Sequence, residues 1–263
     1  MTPSPGHIEK QETMRRLLLV NKLEWDDLAT VDPFWSILSD PTKRFSKWDV
    51  GEFFDTGKKE VEEILDKARS LGFPAVKGRA LDFGCGIGRV TRALARHFGE
   101  CHGVDISEEM ISIAKRLNGD MSNCEFIVNV SDTLGIFPDN YFDMVYSNIV
   151  LQHLPHRNQI ELYILEFIRV LVPTGLLVFQ LPNWIPLRIR IQLRRRLYLL
   201  LRELGADADF LYTRLGLHPI RMNFLGEREV VTLLEGRGGR VLHMRRSGRE
   251  GKSFQNCTYF VSK

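Results

Sequence analysis

Apolar and polar positions alternate with two different periods along the chain. Short apolar runs predict seven strands, near 79–83, 100–105, 124–129, 141–147, 174–181, 239–245 and 255–262. Helical periodicity predicts helices near 9–30, 57–72, 89–98, 108–117, 157–171 and 227–236. Strands that alternate with helices imply right-handed crossovers. The pattern therefore predicts an α/β fold, a Rossmann-like doubly wound and mainly parallel sheet that binds ligands at the carboxyl ends of its strands.

Three glycines at alternate positions follow the first predicted strand. They are Gly84, Gly86 and Gly88, with Asp82 two residues before the first of them. Glycine allows positive φ and a close approach of the backbone to a ligand, and the helix that follows offers free N–H groups. A dinucleotide fingerprint would place its third glycine one residue later, where Arg89 stands. Asp82 would repel a pyrophosphate but suits an ammonium group, so a cationic ligand with an amino acid end fits better than NAD.

An acidic residue at the end of the second predicted strand supports a nucleoside ligand. Asp105 lies 21 residues after Gly84, close to the spacing at which an acid accepts the ribose hydroxyls. Ser107 then reads as the N-cap of the next helix. A nucleotide-binding oxidoreductase remains the alternative at this point.

The pattern Asp82-x-Gly84-x-Gly86-x-Gly88 resembles motif I of class I S-adenosylmethionine (SAM) dependent methyltransferases. Two later blocks resemble the same family: Phe142-Asp143 leading into a strand and then Gln152-His153-Leu154, and the turn Pro173-Thr174-Gly175 before the fifth strand. Thr174 replaces the commoner glycine. The resemblance is to methyltransferases of the type 11/12-like small-molecule group, and it covers residues 78–183 well and 220–262 loosely.

The resemblance implies the fold's last strand, the cofactor and most of the binding site. The seventh strand should be antiparallel, as a hairpin partner of the sixth. The cofactor should be SAM, with no metal, and Met110 should pack on its adenine. The residues expected to hold SAM are Asp82, Gly84, Cys85, Gly86, Gly88, Asp105, Ile106, Met110, Val130, Ser131 and Ser147.

The expected reaction is transfer of a methyl group from SAM to an oxygen or nitrogen atom of a small metabolite. His153 is the candidate general base, because it follows the fourth strand at the mouth of the cleft, with Gln152 as a positioning residue and His156 as a second candidate base. Ser147-Asn148-Ile149-Val150 stands where enzymes that methylate exocyclic amines carry Asn/Asp-Pro-Pro-Tyr. A noncatalytic SAM-binding scaffold and a methyltransferase for a macromolecule remain alternatives.

Four segments organise the chain in this interpretation. Residues 1–76 form a helical N-terminal cap, 77–183 the SAM-binding core, 184–222 a basic helical insertion after the fifth strand, and 223–263 the last helix and two strands. The cap is rich in aromatic residues. These rings either anchor helices to the sheet or line a pocket for an aromatic acceptor, in which case the cap acts as a lid.

The insertion carries much of the positive charge of the chain. Residues 184–263 hold 16 Lys and Arg against 7 Asp and Glu, or +9, and the preceding residues 20 against 26, or −6. Leucines at helical spacing predict one basic amphipathic helix over 187–204. Its apolar side should pack on the core or on a second subunit in a homodimer. Alternatively, the helix binds an acidic substrate, contacts a membrane surface or, least in keeping with the sequence, binds nucleic acid.

Composition fits an ordinary α/β enzyme. The chain has 263 residues, of which 44% are hydrophobic, and no apolar run approaches the 18 or more residues that a membrane span needs. The four cysteines lack paired metal-ligand spacing and indicate reduced thiols. No signal peptide is recognised at the start, so we expect a cytoplasmic protein.

Overall fold

A computed structural model describes residues 5–248 and 254–263, and the side chains from residue 12 onward. One seven-stranded sheet crosses the molecule, in the order β3-β2-β1-β4-β5-β7-β6. Strands β1 to β5 are parallel, and β7 is antiparallel to both β5 and β6. The predicted fold class is confirmed. The strands are β1 Arg79–Phe83, β2 Glu100–Asp105, β3 Cys124–Val128, β4 Phe142–Ser147, β5 Leu171–Trp184, β6 Arg240–Ser247 and β7 Gln255–Ser262.

Helices cover both faces of the sheet and its ligand-binding edge. In chain order they are α1 Pro5–Val31, α2 Pro33–Ile37, α3 Val50–Ser70, α4 Arg89–Leu94, α5 Glu108–Leu117, α6 Arg157–Val170, α7 Leu187–Arg190, α8 Leu193–Glu203, α9 Ala208–Leu215 and α10 Glu227–Glu235. Of the described helices, none is both long enough and apolar enough to cross a membrane.

Alternation along the strands builds a core on each side of the sheet. Leu81 and Val145 point to the side covered by α6 and α10, where they join Phe167. Ala80 and Met144, one residue earlier in each strand, point to the side covered by α3 and α4. Each fully buried Leu or Phe contributes about 1.5–3 kcal/mol, so these two clusters hold the strand ends in a fixed register.

One prediction about the insertion is wrong. The segment 187–204 is two helices, because Gln192 takes φ +52° between α7 and α8 and interrupts the hydrogen-bond ladder. Leu193, Leu197 and Leu200 of α8 are exposed, and α8 instead buries Tyr198. Packing of these leucines on a second subunit stays a prediction.

Candidate functional site

A pocket lies at the carboxyl ends of β1 and β2, where the doubly wound topology predicts a ligand site. Five of the residues predicted to hold the cofactor line it, together with the candidate base His153. The five are Gly84, Gly86, Asp105, Ile106 and Met110.

The glycine turn forms the floor of this pocket. Gly84, Gly86 and Gly88 have φ values of +75°, +52° and +84°, which residues other than glycine rarely adopt. A Cβ at Gly84 would lie 2.3 Å from Cγ2 of Val150, and one at Gly86 would lie 2.5 Å from Cδ1 of Ile37. The turn therefore needs glycine for its conformation and for the closeness of the pocket walls.

Backbone groups fix the carboxylate of Asp105 at the pocket edge. The N–H of Gly86 donates to Oδ2 at 2.8 Å, and the N–H of Ser107 donates to Oδ1 at 3.0 Å. Burial raises the pKa of Asp105. Each carboxylate oxygen has two lone pairs, so both can accept a further hydrogen bond from a ligand hydroxyl. Ser107 also caps α5 as predicted, accepting from the N–H of Met110 at 3.1 Å.

Six other residues predicted to touch the cofactor stand outside the pocket lining. Asp82 lies behind the turn, where its carboxylate accepts from Oγ1 of Thr91 at 2.7 Å, and burial raises its pKa to about 7. The Ser147 hydroxyl donates to the carbonyl of Phe83 at 3.1 Å. The six residues are Asp82, Cys85, Gly88, Val130, Ser131 and Ser147. Direct contact of these residues with a ligand stays a prediction.

Two asparagines line the pocket, and each stands one position away from a residue that was predicted to hold the cofactor. Asn129 is the first residue after β3, and Asn148 is the first after β4. The predicted third strand ran to 129, one residue too far, and the residues predicted there to hold the cofactor were Val130 and Ser131. The signal available was the asparagine directly after each of these two strands.

The N-terminal helices supply the opposite wall. Leu18, Asn21 and Trp25 of α1 and Ile37 of α2 line the pocket. The amide oxygen Oδ1 of Asn21 is buried there with no hydrogen-bond partner among the described residues. An unpaired buried acceptor costs free energy unless a ligand donates to it. Some of the aromatic residues of the cap therefore line a pocket, and others anchor helices, such as the fully buried Phe53.

A buried arginine connects the pocket to α3. Arg89 forms an ion pair with Glu60 at 2.7 Å, while Nε of Arg89 has no hydrogen-bond partner among the described residues. Glu60 also accepts from the hydroxyl of Tyr146 at 2.6 Å and from Nδ2 of Asn148 at 2.8 Å. Arg89 thus brings a guanidinium group, already paired with Glu60, to the pocket wall.

A second cavity adjoins the first. Ser36, Ile37, Ile149 and His153 line both cavities and form their common boundary. The insertion contributes Ile189, Ile220 and Met222 to the second cavity, and the loop after α2 contributes Leu38 and Trp48. Among the described residues that line it, none is Lys or Arg.

His153 stands at the boundary of the two cavities as a neutral imidazole. Its Nδ1 lies 2.6 Å from the carbonyl oxygen of Arg221; because a carbonyl only accepts, Nδ1 carries the proton and Nε2 keeps its lone pair. Burial lowers the pKa of His153 to about 4. Next to it, Oε1 of Gln152 is buried without a partner among the described residues. The other candidate base, His156, is instead the N-cap of α6, where its Nδ1 accepts from the N–H of Asn158.

The strand order and the position of the pocket are those of a doubly wound α/β fold. Residues 81–179 match the family model described as a methyltransferase domain. The chain therefore carries a methyltransferase domain over this segment, as its motifs predict, and SAM as its cofactor is in keeping with that family.

Relatives match the same central part of the chain. Phosphoethanolamine N-methyltransferase 3 of Arabidopsis thaliana is 34% identical over 102 residues, covering 38% of this chain and 20% of that protein. The 2-methyl-6-phytyl-1,4-hydroquinone methyltransferase of Synechocystis sp. is 35% identical over 99 residues, covering 37% and 30%. The chain thus spans less than a third of the length of either relative.

Solved structures show the same fold over most of the chain. Magnesium protoporphyrin IX methyltransferase from Synechocystis, solved with bound S-adenosylhomocysteine, superimposes with a TM-score of 0.55 at 17% identity. The match covers 90% of this chain and 99% of that one. The shared fold therefore extends beyond the family-matched segment 81–179.

Proposed function

We propose that this protein transfers a methyl group from SAM to an oxygen or nitrogen atom of a small-molecule acceptor bound in the second cavity. The observation that carries the proposal is the shared boundary of the two cavities at His153, Ile37 and Ile149. A donor in the first cavity and an acceptor in the second would meet there without crossing solvent. Holding two reactants in line lowers the barrier by roughly 7–11 kcal/mol in well-oriented systems.

The residues of the first cavity fit SAM. Asp105 would accept from the ribose hydroxyls, and the buried Met110 would pack on the adenine. The glycine turn allows the amino acid end to approach the backbone, and the unpaired Nε of Arg89 would donate to its carboxylate. When bound, SAM supplies an electrophilic methyl group on its sulfonium, so the chain mainly has to position the acceptor.

The lining of the second cavity favours a neutral, largely apolar acceptor. Eight of the fourteen described residues that line it are apolar. The lining carries the carboxylate of Asp40 and no Lys or Arg, so it would repel a phosphate. The unpaired Oε1 of Gln152 and the neutral ring of His153 provide hydrogen-bond acceptors at one end. An acceptor with an O–H or N–H group would satisfy both. A hydroquinone, the substrate class that the Synechocystis relative's name states, fits this lining better than phosphoethanolamine, which the Arabidopsis relative's name states.

In this proposal His153 orients the acceptor and takes up its proton. Because the pKa of His153 is lowered to about 4, the ring is in its basic form throughout the neutral pH range but is a weak base. We expect His153→Ala to lower kcat roughly 10- to 100-fold without changing the affinity for SAM. His153→Gln, which keeps a hydrogen-bond acceptor, should restore part of the loss.

The pH profile separates this role from a packing role. The ratio of wild-type to His153→Ala turnover should stay constant between about pH 6 and pH 8, and fall only as the pH approaches 4, where the ring becomes protonated. Full turnover of His153→Ala, measured with the acceptor identified below, would remove His153 from the mechanism.

Label transfer tests the proposed function. The protein is incubated with SAM carrying a tritiated methyl group and with either a neutral hydroquinone or phosphoethanolamine. We expect label in the hydroquinone, and a loss of transfer of about tenfold or more in Met222→Trp, which fills the second cavity, because overpacking excludes the acceptor. SAM affinity, measured by calorimetry, should not change in this variant.

Ile136→Trp, at an exposed residue away from both cavities, is the matched control and should transfer methyl groups like the wild type. Label found in protein or nucleic acid after incubation with a cell extract would replace the small-molecule proposal with a macromolecular substrate. SAM binding without any labelled product would indicate a noncatalytic SAM-binding protein.

A further inference from the structure

Helix α8 faces the rest of the protein with a polar side and exposes an apolar side. The side that faces α1 is polar: Arg195 forms an ion pair with Glu24, and the hydroxyl of Tyr198 donates to Asp27 at 3.0 Å. Leu199 and Leu201 pack with Tyr198 against Leu211 of α9. At 100° per residue, the other leucines stand on the opposite side of the helix from α1. Leu193, Leu197, Leu200 and Leu204 are between 46% and 76% exposed.

Exposed apolar residues continue beyond α8. Leu187 of α7 is also exposed, and so are Leu19 and Leu23 of α1, the helix that α8 contacts. Scattered exposed leucines are normal on a protein surface, but a continuous stripe along one helix side marks a surface that another apolar phase covers. We call the exposed leucines of α7 and α8 together the leucine face.

Positive charge borders the leucine face. On the helical projection Arg194 and Arg196 flank the stripe on its two sides, and both are exposed, as is Glu203 near Arg196. Residues 184–222 contain eight arginines and no lysine against three acidic residues, a net charge of +5. An apolar stripe with an arginine on each side matches a lipid surface, where leucines enter the acyl boundary and guanidinium groups stay at the phosphates.

We propose that the leucine face docks this protein on an anionic lipid bilayer, with α8 lying in the plane of the membrane surface. Charge complementarity selects this occupant. A second copy of the chain would bring a second set of exposed arginines to the same interface, whereas anionic headgroups neutralise them. The docking surface is part of the same insertion that supplies Ile189 to the second cavity, so the bilayer would lie beside that cavity.

Vesicle co-sedimentation of the full chain tests the docking. The vesicles contain phosphatidylcholine with or without phosphatidylglycerol. We expect the wild type to bind the vesicles that contain phosphatidylglycerol. Leu197→Glu/Leu200→Glu should bind them at least about tenfold more weakly. Arg194→Gln/Arg196→Gln should lose most of the preference for the anionic lipid, on the order of tenfold.

The matched control is Val76→Glu/Ile136→Glu, which adds the same charge at two exposed apolar residues elsewhere. It should bind vesicles within about twofold of the wild type, because this control keeps the full leucine face. Because all the substituted residues are exposed, thermal unfolding should show each variant folded. Equal loss in this control, or no binding of the wild type to anionic vesicles, overturns the proposal. The proposal is also overturned if the wild type does not bind vesicles but forms a concentration-dependent dimer that Leu197→Glu/Leu200→Glu abolishes.

Discussion

Asp105→Ala is expected to lower the affinity for SAM by roughly 10²- to 10⁴-fold. The carboxylate is held at the pocket edge by the N–H groups of Gly86 and Ser107, with lone pairs left for two ribose hydroxyls. A hydrogen bond to a charged group contributes about 1.5–3 kcal/mol, so the loss of two costs about 3–6 kcal/mol. Calorimetric titration with S-adenosylhomocysteine, which has the same ribose, measures the effect without turnover.

Asp105→Asn is the conservative partner of this variant. It keeps an oxygen that can accept from one hydroxyl or one backbone N–H, so its affinity should lie between those of the wild type and Asp105→Ala. Since burial disfavours the charged carboxylate, the Asn variant should unfold at a temperature close to that of the wild type. Equal binding of SAM by all three proteins would show that the ribose does not contact Asp105.

Glu24→Ala is expected to destabilise the junction of α1 with the insertion by about 3–5 kcal/mol. Glu24 is buried and accepts from two arginines, Arg195 and, at 2.7 Å, Arg221. Removing it leaves two largely buried guanidinium groups without a counter-charge, and burial already lowers the pKa of Arg195. Thermal unfolding should show a midpoint lower by about 6–20 °C, given the usual 2–4 °C per kcal/mol for a chain near this size.

The same variant should also affect turnover. The backbone carbonyl of Arg221 holds Nδ1 of His153, so loosening the Arg221 side chain disturbs the boundary of the two cavities. Asp120→Ala, which breaks the exposed ion pair with Arg92, is the matched control and should leave the midpoint and turnover nearly unchanged. A midpoint for Glu24→Ala equal to that of Asp120→Ala would mean that the buried pairs contribute nothing net.

The core of the fold could be predicted because its sequence signals are local. The strands β1, β2 and β7 begin and end within a residue of their predicted bounds, since each is a short apolar run between turns. The glycine turn and Asp105 were found from spacing alone, and both lie at the pocket. Positive φ values and backbone hydrogen bonds at these residues are the physical reason that the motif has its form.

What the sequence did not predict depends on contacts between distant segments. Asn21, Ile37 and Trp25 reach the pocket only because α1 and α2 fold back over the strand ends, and no spacing rule reports that. The orientation of α8 depends on distant contacts in the same way. A helical projection shows that leucines and arginines lie on different sides, but the acidic residues of α1, far away in sequence, decide which side faces inward.

The arginines of the insertion fall into two groups, buried and exposed, with different responses to ionic strength. The negative first part of the chain and the positive last part meet at Arg195 and Arg221, where little solvent reaches the charges and added salt screens them weakly. Arg194 and Arg196 are exposed, and their attraction to any anionic surface decays within a Debye length of about 8 Å at physiological salt. Salt would therefore release the protein from such a surface while leaving the insertion attached to α1.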